Sequence, residues 1–424
     1  MILGIPPHII GQYISRLLLV SLNIGAILHE STVYQRRERL SKMTDGSGLG
    51  GVYGATIAQI NAPDGDKLRL GMAALTWISH AERPLRADEL GHALAVEPCS
   101  TDFNIGNTPS MSTLVSCCQG LIAVDKEAST VRLINFTLQE YLSAHPDIFS
   151  RPHSVMVEIC LTHLRLQQVK ALSPCPSPDT RNTPFLEYCS IYWVFHAKRE
   201  LSDCARSLAL DLLKGNYGQT STEFLLARVG DWRLSRFGVW FPFSGLHCAS
   251  FFGINEVVAG LAEMGCYDID GGDFSGYTPL AWATHNAHED VVKILLGSEE
   301  VNPDKPDNSD KIPLLHAAWS GHEGVLKILL EREEVNLAKP DGRSKTPLSH
   351  AAWCGHEGVW KILLERDQVN PDKPDDWGKT PLLHAAIEGH EGVVKIPLDR
   401  EGSIPTSQIT AKHHPGMPFV PQEE

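Results

Sequence analysis

The sequence is short of positive charge and of paired cysteines. It holds 37 Lys and Arg against 51 Asp and Glu, which gives a formal net charge of −14. Nucleic acids and anionic membrane surfaces bind clusters of Lys and Arg, so we expect neither as the main partner. The ten cysteines are scattered and form no Cys-x-x-Cys pair. This spacing argues against a metal site and against a disulfide framework, and we expect reduced thiols in a cytoplasmic protein.

Long apolar runs are also missing. The most apolar stretch spans residues 9–28, but Gln12, Arg16, Ser21 and Asn23 interrupt it. A membrane-spanning helix needs about 20 consecutive and predominantly apolar residues. We therefore favour a buried helix of a globular domain over a signal anchor, and we expect no membrane span.

No set of catalytic residues is recognisable. No Ser or Cys has a base at a spacing that indicates nucleophilic catalysis, and the motif Gly-x-Ser-x-Gly is absent. Residues 46–51 fit Gly-x-Gly-x-x-Gly, but the preceding residues predict a charged helix instead of a strand, and no Gly-Lys-Ser/Thr follows. We expect a flexible loop there instead of a nucleotide site. The sequence predicts no enzymatic activity, no cofactor and no metal site.

What the sequence does contain is a repeat. The pair Pro-Leu recurs at a step of 34 residues, beginning at Pro279, Pro313, Pro347 and Pro381. In the copy that begins at Pro347, Thr346 can cap a helix and Gly355 can end it. Val359 and residues 362–364 then give a second helix its apolar face. Such a helix pair cannot bury its own apolar surface, so we expect the copies to stack.

These motifs together resemble the ankyrin repeat: Thr-Pro-Leu, an Ala-Ala pair, Gly-His and an aliphatic second helix. An earlier and less regular copy begins at Gly245, and the period is that of ankyrin arrays. Three features depart from the family pattern. Charged residues replace the usual glycine at the end of the second helix, as at residues 331–334. Pro397 stands inside the last second helix, where we expect the array to fray. In the family the motif histidine directly follows Thr-Pro-Leu, but here it comes one position later, at His316, His350 and His384.

The residues before the repeat predict a winged helix. Three helices, a β-hairpin and a closing helix follow one another, at residues 70–80, 88–96, 111–118, 121–136 and 137–144. The segments Trp77-Ile78, Arg83-Pro84-Leu85, Cys118-Gln119-Gly120-Leu121 and Phe136-Thr137-Leu138-Gln139-Glu140-Tyr141-Leu142 resemble one particular module. It is the winged-helix domain that follows the NACHT nucleotidase in fungal STAND proteins, and it is also named after GPI inositol-deacylase.

A winged helix often binds DNA, but this one has few of the groups that DNA binding needs. Its third helix, at residues 109–119, carries no Lys or Arg for base edges or phosphates. We therefore expect a packing and regulatory module that docks on another domain, such as one of the NACHT type.

The resemblance implies a mainly α chain that keeps the later parts of a STAND protein and lacks the NACHT nucleotidase. We divide it into a helical remnant with a glycine-rich loop (1–67), a winged-helix domain (68–146), a helical connector (147–240), ankyrin repeats (241–401) and a disordered tail (402–424). The connector carries an aromatic stripe at residues 185–193, which we interpret as core instead of a cofactor site. We expect His196 to be a hydrogen-bonded buried histidine, and the connector to cover the open end of the array.

Ankyrin arrays recognise proteins through loop tips and through the exposed face of the first helix. The resemblance places the residue after each Ala-Ala pair on the concave side, and the residues before Thr-Pro at loop tips. We expect a protein partner to bind at Phe274, Tyr277, Trp319, Arg343, Lys345, Trp353, Trp377 and Ile387. The alternative for Trp319 and Trp353 is that their rings fill gaps between copies. The repeated His322, His356 and His390 are expected to fix loops through hydrogen bonds.

Two functions are consistent with these patterns. The first is a non-enzymatic scaffold in which the ankyrin repeats recognise a partner protein and the winged helix docks on a regulatory domain. The alternative is a fragment of an ATP- or GTP-dependent STAND switch that acts with a NACHT domain.

Overall fold

The chain forms two compact units, which fall within residues 1–240 and 241–424. The computed structural model describes residues 32–35, 49–61, 66–98, 100, 103–125, 127–170, 183–214 and 243–398. The fold is mainly helical, as the sequence predicts. Within these residues, no helix combines the length and the apolar character that crossing a membrane requires.

The first unit combines short helices with one small sheet. Its described helices are α1 (Leu49–Ile60), α2 (Asp66–His80), α3 (Ala87–Ala95), α4 (Met111–Cys117), α5 (Phe136–Ala144), α6 (Pro152–Arg165), α7 (Gln167–Lys170), α8 (Leu186–Arg199) and α9 (Asp203–Leu213). Its strands are β1 (Leu85–Arg86), β2 (Ile122–Asp125) and β3 (Thr130–Leu133). They form an antiparallel sheet in the order β1–β3–β2, with Leu85 opposite Val131 and Ile122 opposite Leu133.

Helices α2, α3 and α4 with the β2–β3 hairpin form the expected winged helix. Strand β1 is not among the elements that the sequence predicts, because it has only two residues and pairs with β3 far along the chain. Glu89 fixes the corner at this strand: both of its carboxylate oxygens accept from the Arg83 guanidinium, at 2.7 and 2.6 Å, and it also accepts from the Arg86 backbone N–H at 2.8 Å. The corner brings Leu85 into register with β3, where it is buried.

The predicted glycine-rich loop is wrong in its second half, because α1 begins at Leu49. This helix buries Val52, Tyr53 and Ile57, whose helical spacing outweighs the cost of about 1 kcal/mol that each helical glycine adds. The Tyr53 hydroxyl lies 3.1 Å from Asn135 Oδ1, on the residue that caps α5. Helix α1 therefore packs on the winged helix.

The connector shares its core with the winged helix. Phe185, Tyr188 and Trp193 are buried, which confirms that the aromatic stripe is core. Trp77 of α2 meets Phe185 and Tyr188 edge-on, with ring centroids 5.3 and 5.8 Å away. A single aromatic cluster thus joins α2 to α8.

His196 is a hydrogen-bonded buried histidine, as expected. Its Nε2 lies 2.9 Å from the Tyr188 hydroxyl, and its Nδ1 lies 2.9 Å from Nδ1 of His153. Burial lowers the pKa of His196 to about 3, with smaller contributions from the neighbouring His153 and Arg199. The side chain is therefore a neutral structural group at physiological pH.

Within residues 243–398, the second unit is a stack of five helix pairs, which we call copies one to five. The pairs are α10 (Gly245–Phe252) with α11 (Asn255–Glu263), α12 (Pro279–His285) with α13 (Glu289–Leu296), α14 (Pro313–Ser320) with α15 (Glu323–Leu330), α16 (Pro347–Cys354) with α17 (Glu357–Leu364), and α18 (Pro381–Glu388) with α19 (Glu391–Leu398). Thr346 accepts a hydrogen bond from the Ser349 backbone N–H, and Gly355 takes a left-handed φ of 76°, so the predicted start and stop of α16 are confirmed.

The last copy keeps the length of the others. Helix α19 runs through Pro397 to Leu398 and has eight residues, like α17. The fraying that we expected at Pro397 is therefore absent up to residue 398. A proline in the last turn removes only one backbone hydrogen bond, so it costs less there than in a helix centre.

Several predicted segments lie outside the described residues. They are residues 9–28, residues 46–48, residues 171–182 within the predicted connector, the end of the connector after residue 214 and the tail at 402–424.

Candidate functional site

An aspartate organises each hairpin tip of the array. In copy four, Asp341 Oδ1 accepts from the backbone N–H groups of Arg343 and Lys345, both at 2.9 Å. The second carboxylate oxygen, Oδ2, accepts from Nε2 of His350 on α16, also at 2.9 Å. The carboxylate therefore ties the hairpin tip to the first helix of its own copy.

The same arrangement recurs along the array. The distances from Oδ2 to the ring nitrogen are 3.1 Å for Asp307 with His316, 2.8 Å for Asp375 with His384, and 2.9 Å for Asp273 with Trp282. This pairing gives a role to the histidine that stands one position late. The aspartate went unnoticed in the sequence, although it shares the 34-residue step and precedes its partner by nine residues.

The Asp–His pair is a carboxylate that accepts from a neutral imidazole. Burial alone would raise the pKa of Asp341, but the hydrogen bonds from His350 and from two backbone N–H groups outweigh it and lower the pKa to about 2. Burial lowers the pKa of His350 in turn. Since a carboxylate only accepts, the His350 hydrogen lies on Nε2.

The other repeated histidines join neighbouring copies. Nε2 of His356 lies 2.8 Å from the Trp319 carbonyl oxygen, and Nε2 of His390 lies 2.9 Å from that of Trp353. His322 makes the same contact with the His285 carbonyl. The expectation that these histidines fix loops through hydrogen bonds is confirmed, and the hydrogen bonds also join each copy to the one before it.

Two tryptophans lie next to each other on the first helices of copies three and four. The ring centroids of Trp319 and Trp353 are 5.4 Å apart at an interplanar angle of 80°. Trp319 also packs on His350, at 5.1 Å. Trp319 nevertheless keeps 36% of its surface exposed, and Trp353 is half-buried. The rings therefore fill part of the gap between copies and leave their outer surfaces accessible.

Cations lie over these rings. Lys311 Nζ is 4.0 Å from the centroid of the Trp319 ring, and Lys345 Nζ is 3.6 Å from that of the Trp353 ring. At such distances a cation is attracted to the negative face of an indole. We call Trp319, Trp353, Trp377, Ile387, Lys311, Arg343 and Lys345 the tryptophan–cation face.

Besides Trp319 and Trp353, the other six predicted partner-binding residues fall into two groups, exposed and buried. Trp377 and Ile387 are 57% and 54% exposed, and Phe274 and Arg343 are exposed as well. Tyr277 and Lys345 are only 5% and 6% exposed, so the expectation that they project from loop tips is wrong. Tyr277 packs on Trp282 and on His316, with both centroid distances 4.6 Å. The side chain before Thr-Pro points back over the first helices, and the sequence pattern alone does not show this direction.

The described residues of the first unit show neither a group that could hold a metal ion nor a cationic α4 helix. No group of three or more His, Cys, Asp or Glu side chains in the described ranges could hold a metal ion. Its buried His163 has no hydrogen-bond partner on either ring nitrogen, and its neighbours include the rings of Phe103 and Phe185. Helix α4 carries no Lys or Arg.

Two regions of the chain match known families. Residues 246–340 and 314–408 match ankyrin repeats (3 copies), and residues 64–151 match the winged helix domain of GPI inositol-deacylase. No curated protein matches the chain in sequence. Ankyrin repeats are a non-catalytic interaction fold, so the array indicates protein partners. The second name describes the winged-helix domain and assigns no activity to this chain.

Proposed function

We propose that the chain is a non-enzymatic scaffold whose ankyrin repeats capture a partner protein on the tryptophan–cation face. The winged helix docks on a regulatory domain, as in STAND-type signalling proteins. The supporting observation is the pair Trp319 and Trp353, which touch across two copies and still present accessible ring surface.

Energetics favour this face over the rest of the array. A single exposed apolar side chain is ordinary in a folded protein. Here Trp377 and Ile387 of copy five continue the series begun by Trp319 and Trp353, so four large apolar side chains come from three successive copies. Tryptophan is among the residues that contribute most to protein–protein affinity.

The test is partner capture by the full chain with Trp319→Ala and Trp353→Ala combined. We expect the amount of captured partner to fall by at least about tenfold, since hot-spot residues contribute roughly 2 kcal/mol or more each. The matched control is Lys327→Ala with Lys361→Ala, which changes exposed residues on the second helices of the same two copies. The control should capture the partner like the wild type.

Circular dichroism separates binding from folding. The tryptophan variant should keep the wild-type helical spectrum and a cooperative melt. Unchanged capture by this variant, or loss of its helical spectrum, would contradict the proposal.

A second candidate function is a fragment of a nucleotide-dependent STAND switch that acts with a NACHT domain. What favours it is the winged-helix match at residues 64–151, because the resemblance places this domain directly after a NACHT nucleotidase. The purified chain should then bind a NACHT domain supplied in trans, measured by isothermal titration with and without ATP and Mg²⁺. Under the scaffold proposal the chain alone takes up neither ATP nor GTP.

We also propose that the chain is of fungal origin and works in the cytoplasm. The cytoplasmic proposal is supported by Cys117, Cys118, Cys160, Cys189 and Cys248, which are buried within the described residues and form no disulfide.

A further inference from the structure

In copies three and four, a lysine lies over the tryptophan that follows it by eight positions. Lys311 Nζ is 4.0 Å from the centroid of the Trp319 ring, and Lys345 Nζ is 3.6 Å from that of the Trp353 ring. Both members of the pair recur at the 34-residue step, so the repeat itself creates the contact. A lysine ammonium at such a distance attracts the face of an indole ring.

The hairpin that carries each lysine is fixed at its backbone. The backbone N–H of Lys345 donates to Asp341 Oδ1 at 2.9 Å, and that of Lys311 donates to Asp307 Oδ1 at the same distance. Asp341 Oδ2 accepts from Nε2 of His350 on α16, at 2.9 Å. The stem of Lys345 therefore starts from a point that is tied to the helix on which its tryptophan lies.

Both rings also have contacts in the copy that follows. Trp319 packs on His350 and meets Trp353 at an interplanar angle of 80°. The Trp353 Nε1–H donates to Glu388 Oε1 of copy five, at 3.2 Å. Each indole thus has a cation from its own copy and a further contact from the next one.

Lys345 is too deeply buried to serve as a contact for a partner itself. It is 6% exposed, and its ammonium lies between the rings of Trp353 and Trp377, whose centroids are 3.6 and 5.6 Å away. Burial lowers its pKa, and the carboxylates of Asp375 and Asp341 act in the opposite direction, toward the charged form. Any effect of Lys345 on binding therefore acts through the indoles that it contacts.

From these contacts we propose that Lys311 and Lys345 are positioning residues of the tryptophan–cation face. Their ammonium groups hold the rings of Trp319 and Trp353 in one orientation before a partner arrives. Side chains that are ordered in advance lose less conformational entropy on binding, so the held rings give a higher affinity. The inference rests on the proposed scaffold function and adds the residues that prepare its binding surface.

The test follows the two rings by fluorine NMR of the full chain, labelled throughout with 5-fluorotryptophan. Trp319→Phe and Trp353→Phe assign the two resonances. In Lys345→Met we expect the Trp353 resonance to move toward that of free 5-fluorotryptophan. Its shift difference between H2O and D2O should grow, because a released indole is more exposed to water. Lys311→Met should have the same effect on the Trp319 resonance.

The variants separate the charge from the packing of the lysine stem. Methionine removes the charge and keeps an apolar stem of similar length, whereas Lys345→Arg keeps a cation and should restore the wild-type Trp353 resonance. The matched control is Lys379→Met, which changes the equivalent lysine of copy five, where Ile387 stands eight positions later instead of a tryptophan. It should leave both resonances unchanged. Circular dichroism of each variant verifies that it is folded.

Partner capture measures the consequence for binding. Lys311→Met combined with Lys345→Met should reduce capture by the full chain about threefold, since the contribution of a cation over an indole is modest. The loss should be smaller than for Trp319→Ala with Trp353→Ala, because the rings themselves remain.

Four outcomes would overturn the inference. Lys345→Met could leave the Trp353 resonance and its solvent shift unchanged, Lys379→Met could change them equally, Lys345→Arg could fail to restore them, or the lysine double variant could capture the partner like the wild type. The scaffold function survives any of these results if Trp319→Ala with Trp353→Ala still loses capture. Normal capture by that tryptophan variant would instead contradict the scaffold function, and the NMR result still decides whether the lysines hold the rings.

Discussion

The two units bury their polar side chains in different ways. In the array, His350 is bonded to Asp341 of the same copy, and the pattern returns in the copies on either side. In the first unit, His196 relies on Tyr188 of its own helix and on His153 of another helix, and His163 has no hydrogen-bond partner on either ring nitrogen. The array thus repeats one hydrogen-bond pattern from copy to copy, whereas the buried histidines of the first unit differ from each other in their contacts.

The difference also appears in the protonation of these groups. The hydrogen bonds of the array hold Asp341 in its charged form, with a pKa of about 2. In the first unit burial alone dominates, and it lowers the pKa of both His163 and His196 to about 3. The Asp341 site of the array thus stabilises a charge, whereas the sites of His163 and His196 keep their side chains neutral.

The largest expected effect removes a ring from the array. Trp360 of α17 is fully buried, so Trp360→Ala should lower the free energy of unfolding by about 3–5 kcal/mol. Urea denaturation followed by circular dichroism measures this loss. Trp360→Phe should cost much less because it keeps a ring, and Trp377→Ala should stay within about 0.5 kcal/mol because that side chain is exposed. Similar losses for Trp360→Ala and Trp377→Ala would refute the packing described here.

The next test removes the carboxylate that holds the hairpin tip of copy four to its first helix. Asp341→Asn places an N–H donor against His350 Nε2, and hydrogen bonds to a charged group contribute about 1.5–3 kcal/mol. We expect a loss of that size at pH 7. The folded-state pKa of about 2 lies below the ordinary value of 3.8, so the Asp341 contribution is complete above pH 3.8 and disappears as the pH falls to about 2. Denaturation midpoints of variant and wild type that stay equally far apart at pH 2 would contradict the assignment.

A smaller effect separates the contact between copies from local backbone strain. Gly355 and Gly389 have φ values of 76° and 78°, so alanine is strained at both. A Cβ at Gly355 would lie 2.5 Å from His390 Nδ1, whereas nothing lies within 4 Å at Gly389. Gly389→Ala should therefore cost about 1 kcal/mol and Gly355→Ala clearly more. Equal losses in chemical denaturation would mean that the glycine–histidine contact does not set the spacing of the copies.

The smallest effect is a gain in the first unit. His163→Leu removes a buried imidazole without hydrogen bonds and should stabilise the chain by about 1 kcal/mol or more. The pKa of His163 is lowered from 6.5 to about 3, so its unfavourable effect on folding grows as the pH drops below 6.5. The variant should flatten the fall in stability between pH 6.5 and 3. A thermal melt that shows a less stable variant at pH 5 would contradict this expectation.

The parts of the array that depend on the backbone preferences of single residues were predicted from the sequence. Pro347 and Gly355 begin and end a helix through backbone preferences, so the array could be placed from the sequence. The β2–β3 hairpin was predicted for the same reason. Strand β1 was missed because two residues pair with a strand far along the chain, and pairing of that kind leaves no local pattern.

The candidate site was only partly predictable. The exposure of Trp377 and Ile387 agrees with the expectation, because their positions follow from the period. Tyr277 is buried by Trp282 of its own copy and by His316 of the next one. Lys345 lies over Trp353 of its own copy and near Trp377 of the next one, so neither burial follows from a single position. The domain bounds at residues 68–146, 147–240 and 241–401 stay predictions, as does the docking of the winged helix.

The most direct test of the account is a photo-crosslink from the array to its partner. A photo-reactive amino acid replaces Ile387 on the first helix of copy five, or Lys361 on the second helix of copy four, and both positions are exposed. The account predicts a crosslinked product with the partner from position 387 and none from position 361. Crosslinking from position 361 alone, or equally from both, would contradict a docking face formed by the first helices.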